Sequence, residues 1–199
     1  MTKLLYQGHG SLRFISNAGT VVYVDPYMGE GYDLAADLVL VTHQHYDHTA
    51  VDKMPHAPGC VVWQNMDAHP EPQTYVTQTF GDVTVEAVEA YNDMHPKDEC
   101  VGYVVQVDGL QLYFAGDTST TSQMSSLASR GLDYAFLPGD GIYNMDVDEA
   151  ARCAKVIGAH HNVPIHLKPV KPYGEQEAQR FASLAPRALL VRAGESIEL

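Results

Sequence analysis

The chain has 199 residues, with 12 Lys and Arg against 25 Asp and Glu and a formal net charge of -13 with histidine neutral. Apolar residues make up 45% and charged ones 19%, which excludes a disordered chain and leaves enough apolar surface for a sizeable core. The acidic balance argues against a nucleic-acid-binding role, because such a surface repels phosphate backbones and no run of Lys and Arg interrupts it.

The start, Met1 to His9, reaches Gly8 and His9 before any apolar stretch long enough for a signal peptide. No uninterrupted apolar segment is long enough to span a bilayer. Cys60, Cys100 and Cys153 are an odd count without CxxC spacing and read as reduced, mostly buried thiols. A cytoplasmic protein without membrane insertion is expected.

In chain order, Leu4 to Gln7, Leu12 to Ser16 and Val21 to Asp25 are short apolar or β-branched runs separated by turn residues, the spacing of a meander. The continuous run Leu38 to Val41 predicts a strand covered on both faces. The Pro-rich stretch from Pro55 to Pro72 reads as a long surface loop interrupted by one strand, Cys60 to Trp63. Further strands are expected at Thr74 to Thr79, Val83 to Val88, Val101 to Val107 and Gln111 to Ala115. Asp108-Gly109 between the last two suits a type I′ hairpin turn. A short Ser-rich helix is expected after Gln123. Asp146 to Glu149 is a capping box, with Met145 placed to staple onto Ala150, and Val147, Ala150, Ala151, Ala154 and Ile157 share one helical face behind it. A last helix runs from about Glu175 to Ala185, with Ala178, Phe181, Ala182 and Ala185 inward and Pro186 ending it. The pair His160-His161 reads as a helix end with favourable dipole placement. The pattern predicts one domain over 1–199, an α/β (α+β) fold of two sheets with helices outside, with no repeat and no linker.

Chemistry concentrates in Thr42-His43-Gln44-His45-Tyr46-Asp47-His48, directly after the buried run. Residues two apart in extended backbone point the same way, so His43 and His45 can grip one ion, while Asp47 and His48 begin a turn and can face a second. Four donors do not fill two coordination spheres. His95, Asp117 and His166 stand at loop positions bordering strands and complete the candidate set, with Asp117 the natural bridge because a carboxylate offers two oxygens.

With these residues laid out, the sequence resembles the metallo-β-lactamase superfamily over nearly its whole length. The resemblance rests on Thr42 to His48, on Tyr113 to Thr118, on Ile165-His166, and on Gly8-His9-Gly10-Ser11 and Val24-Asp25-Pro26. Leu137-Pro138-Gly139, Tyr143 to Asp146 and Glu149-Ala150-Ala151 are similar to a branch of small proteins that includes ascorbate-6-phosphate lactonase and N-acylphosphatidylethanolamine phospholipase D. The resemblance implies a four-layer αββα sandwich of two mixed β-sheets flanked by helices. It implies that His43, His45 and His95 bind one metal and Asp47, His48 and His166 the other, with Asp117 bridging. Asp25 would orient a ligand histidine through its free ring nitrogen, and His9 would sit near the substrate. Gly139-Asp140-Gly141 departs from the branch, and its acid is expected to face solvent in an ordinary turn.

The expected cofactor is two divalent metal ions, zinc first and manganese or iron as alternatives. The expected activity is metal-dependent hydrolysis of an ester, lactone or phosphodiester of a small molecule by a hydroxide activated at the dinuclear site. Asp47 steers the attacking water as the catalytic residue, and Tyr46, Lys97 and Tyr143 are available for polar contacts to substrate. Association into a homo-oligomer fits the branch. The alternatives are a redox or oxygen-handling di-metal protein, disfavoured by the lack of a flavin-binding segment, a nuclease, disfavoured by charge, and a non-catalytic metal binder.

Overall fold

The computed structural model describes residues 1–199. Twelve strands form two six-stranded sheets. The first sheet takes β1 (Lys3–Gly8), β2 (Ser11–Ile15), β3 (Val21–Val24), β4 (Ala36–Val41) and β5 (His56–Gln64) in chain order, and β12 (Ser196–Glu198) closes its other edge against β1. The second runs β11 (His161–Ile165), β10 (Tyr134–Pro138), β9 (Leu110–Phe114), β8 (Val101–Val107), β7 (Val83–Glu89), β6 (Thr77–Phe80). Both sheets are mixed: β3–β4–β5 and β9–β10–β11 pair in parallel, and the remaining pairs are antiparallel.

Alternation along the strands places one face of each sheet in a shared core. Leu4, Tyr6, Leu12, Phe14, Leu38 and Leu40 from the first sheet meet Val85, Tyr103, Val105, Leu112, Phe114 and Phe136 from the second. Leu38 and Leu40 face this core while Val39 and Val41 fill a smaller outer cluster, so β4 is covered on both faces as its apolar run predicted. The outer face of the second sheet carries α2 (Met124–Leu127), α3 (Val147–Ile157) and α4 (Glu175–Leu184). On the first sheet the outer layer is thin: Tyr32, Leu34 and the turn Val51–Lys53 cover Tyr23, Val39 and Val41, while α1 (Asn65–Ala68) follows β5.

Local signals account for most element ends. Asp108 and Gly109 take positive φ (53° and 84°), the conformation a type I′ turn requires, and set the β8–β9 register. Asp146 caps α3 by accepting from Glu149 N–H at 2.7 Å, and Gly158 ends the helix in the left-handed region. The return half of that capping box is absent because the Glu149 carboxylate accepts instead from Thr120 N–H and Oγ1.

Three local expectations are corrected. The Pro55 to Pro72 stretch is mostly regular, holding the nine-residue β5 and then α1, because β5 finds a parallel partner in β4 and tolerates Pro58 and Gly59 at a sheet edge. His160 and His161 do not end a helix: α3 stops at Ile157, and His161 opens β11 with its ring stacked 4.8 Å from Tyr134. Strands β10 and β12 have no counterpart in the sequence pattern. The first is a fully buried run and the second only three residues long.

Candidate metal centre

The site lies where strands of both sheets end. The chain leaves β4 at Val41 and bends at Thr42 and His43, so the histidine run is a loop rather than extended strand. Tyr103 Oη donates to the Val41 carbonyl at 2.8 Å, and Val101 N–H donates to the Thr42 carbonyl at 3.0 Å, tying this loop to the second sheet. After β9, Gly116 turns the chain with φ 65°. A Cβ there would stand 2.9 Å from the Val101 carbonyl oxygen and 3.0 Å from Thr42 Cβ, so only glycine lets Asp117 enter beneath the loop. His166 follows β11, and its N–H donates to the His9 carbonyl at 2.8 Å. His9, Asp25 and His166 all have positive φ (58°, 45° and 46°), a conformation that costs about 1–3 kcal/mol each and is held here by surrounding hydrogen bonds.

All seven residues singled out in the sequence converge. Donor atoms of His43, His45 and His95 lie within 4.8 Å of one another; so do those of Asp47, His48, His166 and His9, and those of His43, His48 and Asp117. The Asp117 carboxylate lies 3.5 Å from His48 Nε2, 3.4 Å from His95 Nε2 and 3.5 Å from His166 Nε2. These gaps are too long for good hydrogen bonds, whereas two ligands held tetrahedrally at about 2.0–2.1 Å from one ion stand about 3.4 Å apart. Nε2 of His43, His48, His95 and His166 is buried without a hydrogen-bond partner. Buried nitrogens left unpaired are costly unless something else binds them, and a cation among them fits both spacing and chemistry.

The opposite ring nitrogens face groups of the chain that orient the rings with Nε2 inward: hydrogen bonds for His43 and His95, and ion-pair contacts with carboxylates for His48 and His166. Thr42 Oγ1 donates its proton to Asp25 Oδ2 at 2.7 Å, so at its 3.0 Å contact with His43 Nδ1 it must accept. Asp25 Oδ2 also lies 3.0 Å from His48 Nδ1, as the resemblance implied, and its Oδ1 accepts from Thr42 N–H. One buried acid thus orients two histidines. Asn92 Oδ1 accepts from Met94 N–H at 2.8 Å while its Nδ2 donates to the Tyr143 carbonyl, so Oδ1 is the atom that accepts from His95 Nδ1 at 2.9 Å.

Asp140 overturns the expectation of a solvent-facing turn acid. Its side chain is fully buried with Oδ2 2.9 Å from His166 Nδ1, because Oδ1 takes the N–H groups of Ile142 and Tyr143 and folds the turn inward. The flanking glycines signalled the turn but not the acid's second contact. Thr42 and Asn92 were missed too; only their closeness in sequence to His43 and His95 hinted at them. His9 is fully buried, with Nε2 3.2 Å from Asp47 Oδ2 and its ring 3.6 Å from that of His166. Lys97 turns away to Glu89 at 2.5 Å, so of the three polar contacts offered to substrate only Tyr46 and Tyr143 line the cleft. Cys100 is buried, and burial pushes its thiol up to about 12.

Electrostatics divide the histidines. Burial lowers the pKa of His43 well below the usual value and that of His95 below it, keeping both neutral and ready to ligate. Burial also opposes charge on His48 and His166, but Asp117, helped by Asp25 and Asp140 respectively, outweighs it and raises both. Asp47 is opposed by burial, yet the hydrogen bond from His9 and the nearby His48 bring its pKa down to about 2.

The centre opens into a cleft of about 270 Å³ bordered by His45, Tyr46, Asp47, His95, Asp117 and Tyr143. Against known proteins, the β-lactamase superfamily domain matches residues 3–166. A UPF0173 metal-dependent hydrolase of Geobacillus thermodenitrificans is 31% identical, the alignment covering 99% of this chain and all of that protein. Among solved structures, the metallo hydrolase Igni18 of Ignicoccus hospitalis superposes with a TM-score of 0.74 at 21% identity, covering 99% of this chain and 98% of that one. The diiron β-hydroxylase CmlA of Streptomyces venezuelae shares the fold over all of this chain and 54% of its own, with a TM-score of 0.71 at 13% identity. The two facing mixed sheets, the histidine loop between them and these matches together show that the chain belongs to the metallo-β-lactamase superfamily, among its metal-dependent hydrolases.

Proposed function

We propose that the chain uses two metal ions to hydrolyse an ester, lactone or phosphodiester bond of a small molecule. The observation that carries this reading is the ring of unpaired Nε2 atoms around Asp117, at the separations ligands of a shared ion adopt. When bound, a pair of divalent cations, zinc first and manganese or iron as alternatives, lowers the pKa of a water and neutralises charge growing on the substrate oxygen. His43, His45 and His95 would hold one ion, Asp47, His48 and His166 the other, and Asp117 would lie between.

The chain's own contribution is positioning. Asp25 and Asp140 hold the rings of His48 and His166 beside Asp117, so the ligand geometry exists before substrate arrives. Asp47 is 17% exposed and faces the cleft with its Oδ2 fixed by His9. With a pKa near 2 it is ionised at neutral pH and accepts a hydrogen bond from the attacking water, aiming it at the scissile carbon or phosphorus. Any proton it takes is held only briefly.

Elemental analysis of wild type beside His45→Ala and Asp117→Asn tests the metal claim, and a panel of ester, lactone, phosphodiester and β-lactam substrates tests the chemistry. About two equivalents of metal in wild type, clear loss in both variants and metal-dependent turnover of one substrate class support the reading. Metal retained in both variants would overturn it. Iron with oxygen-dependent oxidation in place of hydrolysis would move the chain to the oxygen-handling alternative.

A further inference from the structure

We propose that the cleft selects an uncharged ester or lactone whose apolar alkyl or aryl group lies over Met94, Ile142 and Tyr143, a reading that rests on the hydrolase assignment above. Beside the metal cleft is a second hollow of about 500 Å³, and the two share Met94 and Tyr143. Exposed apolar side chains gather around them. Of the ten large hydrophobic side chains this protein exposes, Tyr46 (70%), Met94 (55%), Ile142 (66%), Tyr143 (47%) and Val170 (70%) all line one or the other hollow. They come from four separate loops, so their convergence is not a local accident of sequence. Scattered exposed hydrophobics need no explanation, but a cluster at the mouth of a polar centre marks a binding surface.

Charge points the same way. Neither hollow is lined by Lys or Arg. Of the cations nearest in sequence, Lys97 is paired with Glu89 and Lys168 with Glu177, each at 2.5 Å, while Lys171 is exposed and lines neither hollow. The second hollow instead presents the exposed carboxylate of Asp93, on a chain whose formal net charge is -13. Its amides and one hydroxyl are engaged elsewhere: Asn92 holds the Tyr143 carbonyl and His95, Thr120 holds Glu149, and Asn144 Nδ2 holds Asp140. Asn144 Oδ1, buried without a partner, is an acceptor and repels anionic oxygens. A phosphate or carboxylate group on the substrate tail would meet no cation here, only the neutral hydroxyls of Tyr91, Ser119 and Tyr143 beside the Asp93 carboxylate. An apolar tail would displace water from Met94, Ile142 and Tyr143 at about a fourfold gain in affinity per buried methylene.

Two readouts test this, one of them independent of turnover. Nile red, an uncharged apolar dye, is titrated into the metal-loaded wild type, Ile142→Asp and Ile142→Leu, each checked by far-UV circular dichroism. The expected result is a saturable fluorescence rise in wild type, kept in Ile142→Leu and weakened at least fivefold in Ile142→Asp. In parallel, kcat/KM is measured for 4-nitrophenyl acetate, butyrate and hemisuccinate after subtraction of the Asp117→Asn background. Butyrate is expected to exceed acetate by roughly fifteenfold, the gain from two methylenes, and to exceed the anionic hemisuccinate by a similar factor. The butyrate-to-acetate ratio should collapse in Ile142→Asp. Metal-dependent hydrolysis with hemisuccinate equal or better, or with dye binding indifferent to Ile142→Asp, would overturn the substrate assignment and leave the hydrolase reading standing. Dye binding lost in Ile142→Asp, with no metal-dependent turnover of any ester, lactone or phosphodiester, would support the apolar cleft and overturn the hydrolase reading.

Discussion

Asp140 places one carboxylate oxygen on the ring of His166 and the other on three successive N–H groups, those of Ile142, Tyr143 and Asn144. Its pKa is lowered despite burial, through the contacts with His166 and with those backbone groups. An asparagine at this position keeps the shape but not the chemistry. The turn demands an oxygen on its side, so the amide NH2 would face His166 Nδ1, which must donate if Nε2 is to ligate. Asp140→Asn is therefore expected to weaken metal binding by about 10–100-fold with the far-UV spectrum unchanged, read by competition with a chromophoric chelator. Unchanged affinity would mean that His166 is held by packing against His9 and not by the acid.

Strand ends supply the rigidity that a ligand set needs, and the β9 end shows how narrow the tolerance is. Gly116 passes between Val101 and Thr42 with no room for a Cβ, and its φ of 65° is itself unfavourable for other residues. Gly116→Ala must push either the Val101 carbonyl or the Thr42 side chain, and Thr42 links Asp25 to His43. A loss of about 1–3 kcal/mol in stability by urea denaturation is expected, together with reduced metal content. Full metal loading with wild-type stability would show that the turn relaxes without disturbing its neighbours. Other elements were set by local chemistry alone: the Asp108-Gly109 turn and the Asp146 cap fall where the sequence predicts them. The first half of β5, before the expected strand from Cys60 to Trp63, did not, because its status depends on the parallel partner β4 and not on its own proline-rich composition.

At the scale of the whole molecule, metal and fold are linked. No helix is long and apolar enough to cross a membrane. Stability rests instead on the core between the sheets and, at one end of it, on the buried histidine and aspartate cluster. A ligand at about 1,000 times its Kd stabilises by about 4 kcal/mol, so stripping metal by chelation is expected to lower Tm by about 8–16 °C for a chain of this size. The loss should depend on pH. In the metal-free protein Asp117, with Asp25 and Asp140, raises the pKa of His48 and His166 against the opposing effect of burial. That proton-bound pairing stabilises the metal-free fold fully below about pH 6.5 and is lost as pH rises through the raised values. Protons compete with the cation on the same rings, so the Tm difference between loaded and stripped protein should grow from pH 6 to pH 8. A difference that shrinks over this range would contradict the ligand roles of His48 and His166. The sequence by itself determined the residue types and their order: the His43 to His48 loop after a buried strand, Gly116-Asp117 after another, and the β-rich pattern that brings such strand ends to one edge. It could not determine contacts between residues far apart in the chain. The Asp140 link to His166, the Asn92 hold on the Tyr143 carbonyl, the stacking of His9 on His166 and the apolar rim gathered from four loops exist only after both sheets have packed. Periodicity records which way a side chain points from its own strand, and only tertiary packing decides what it meets there.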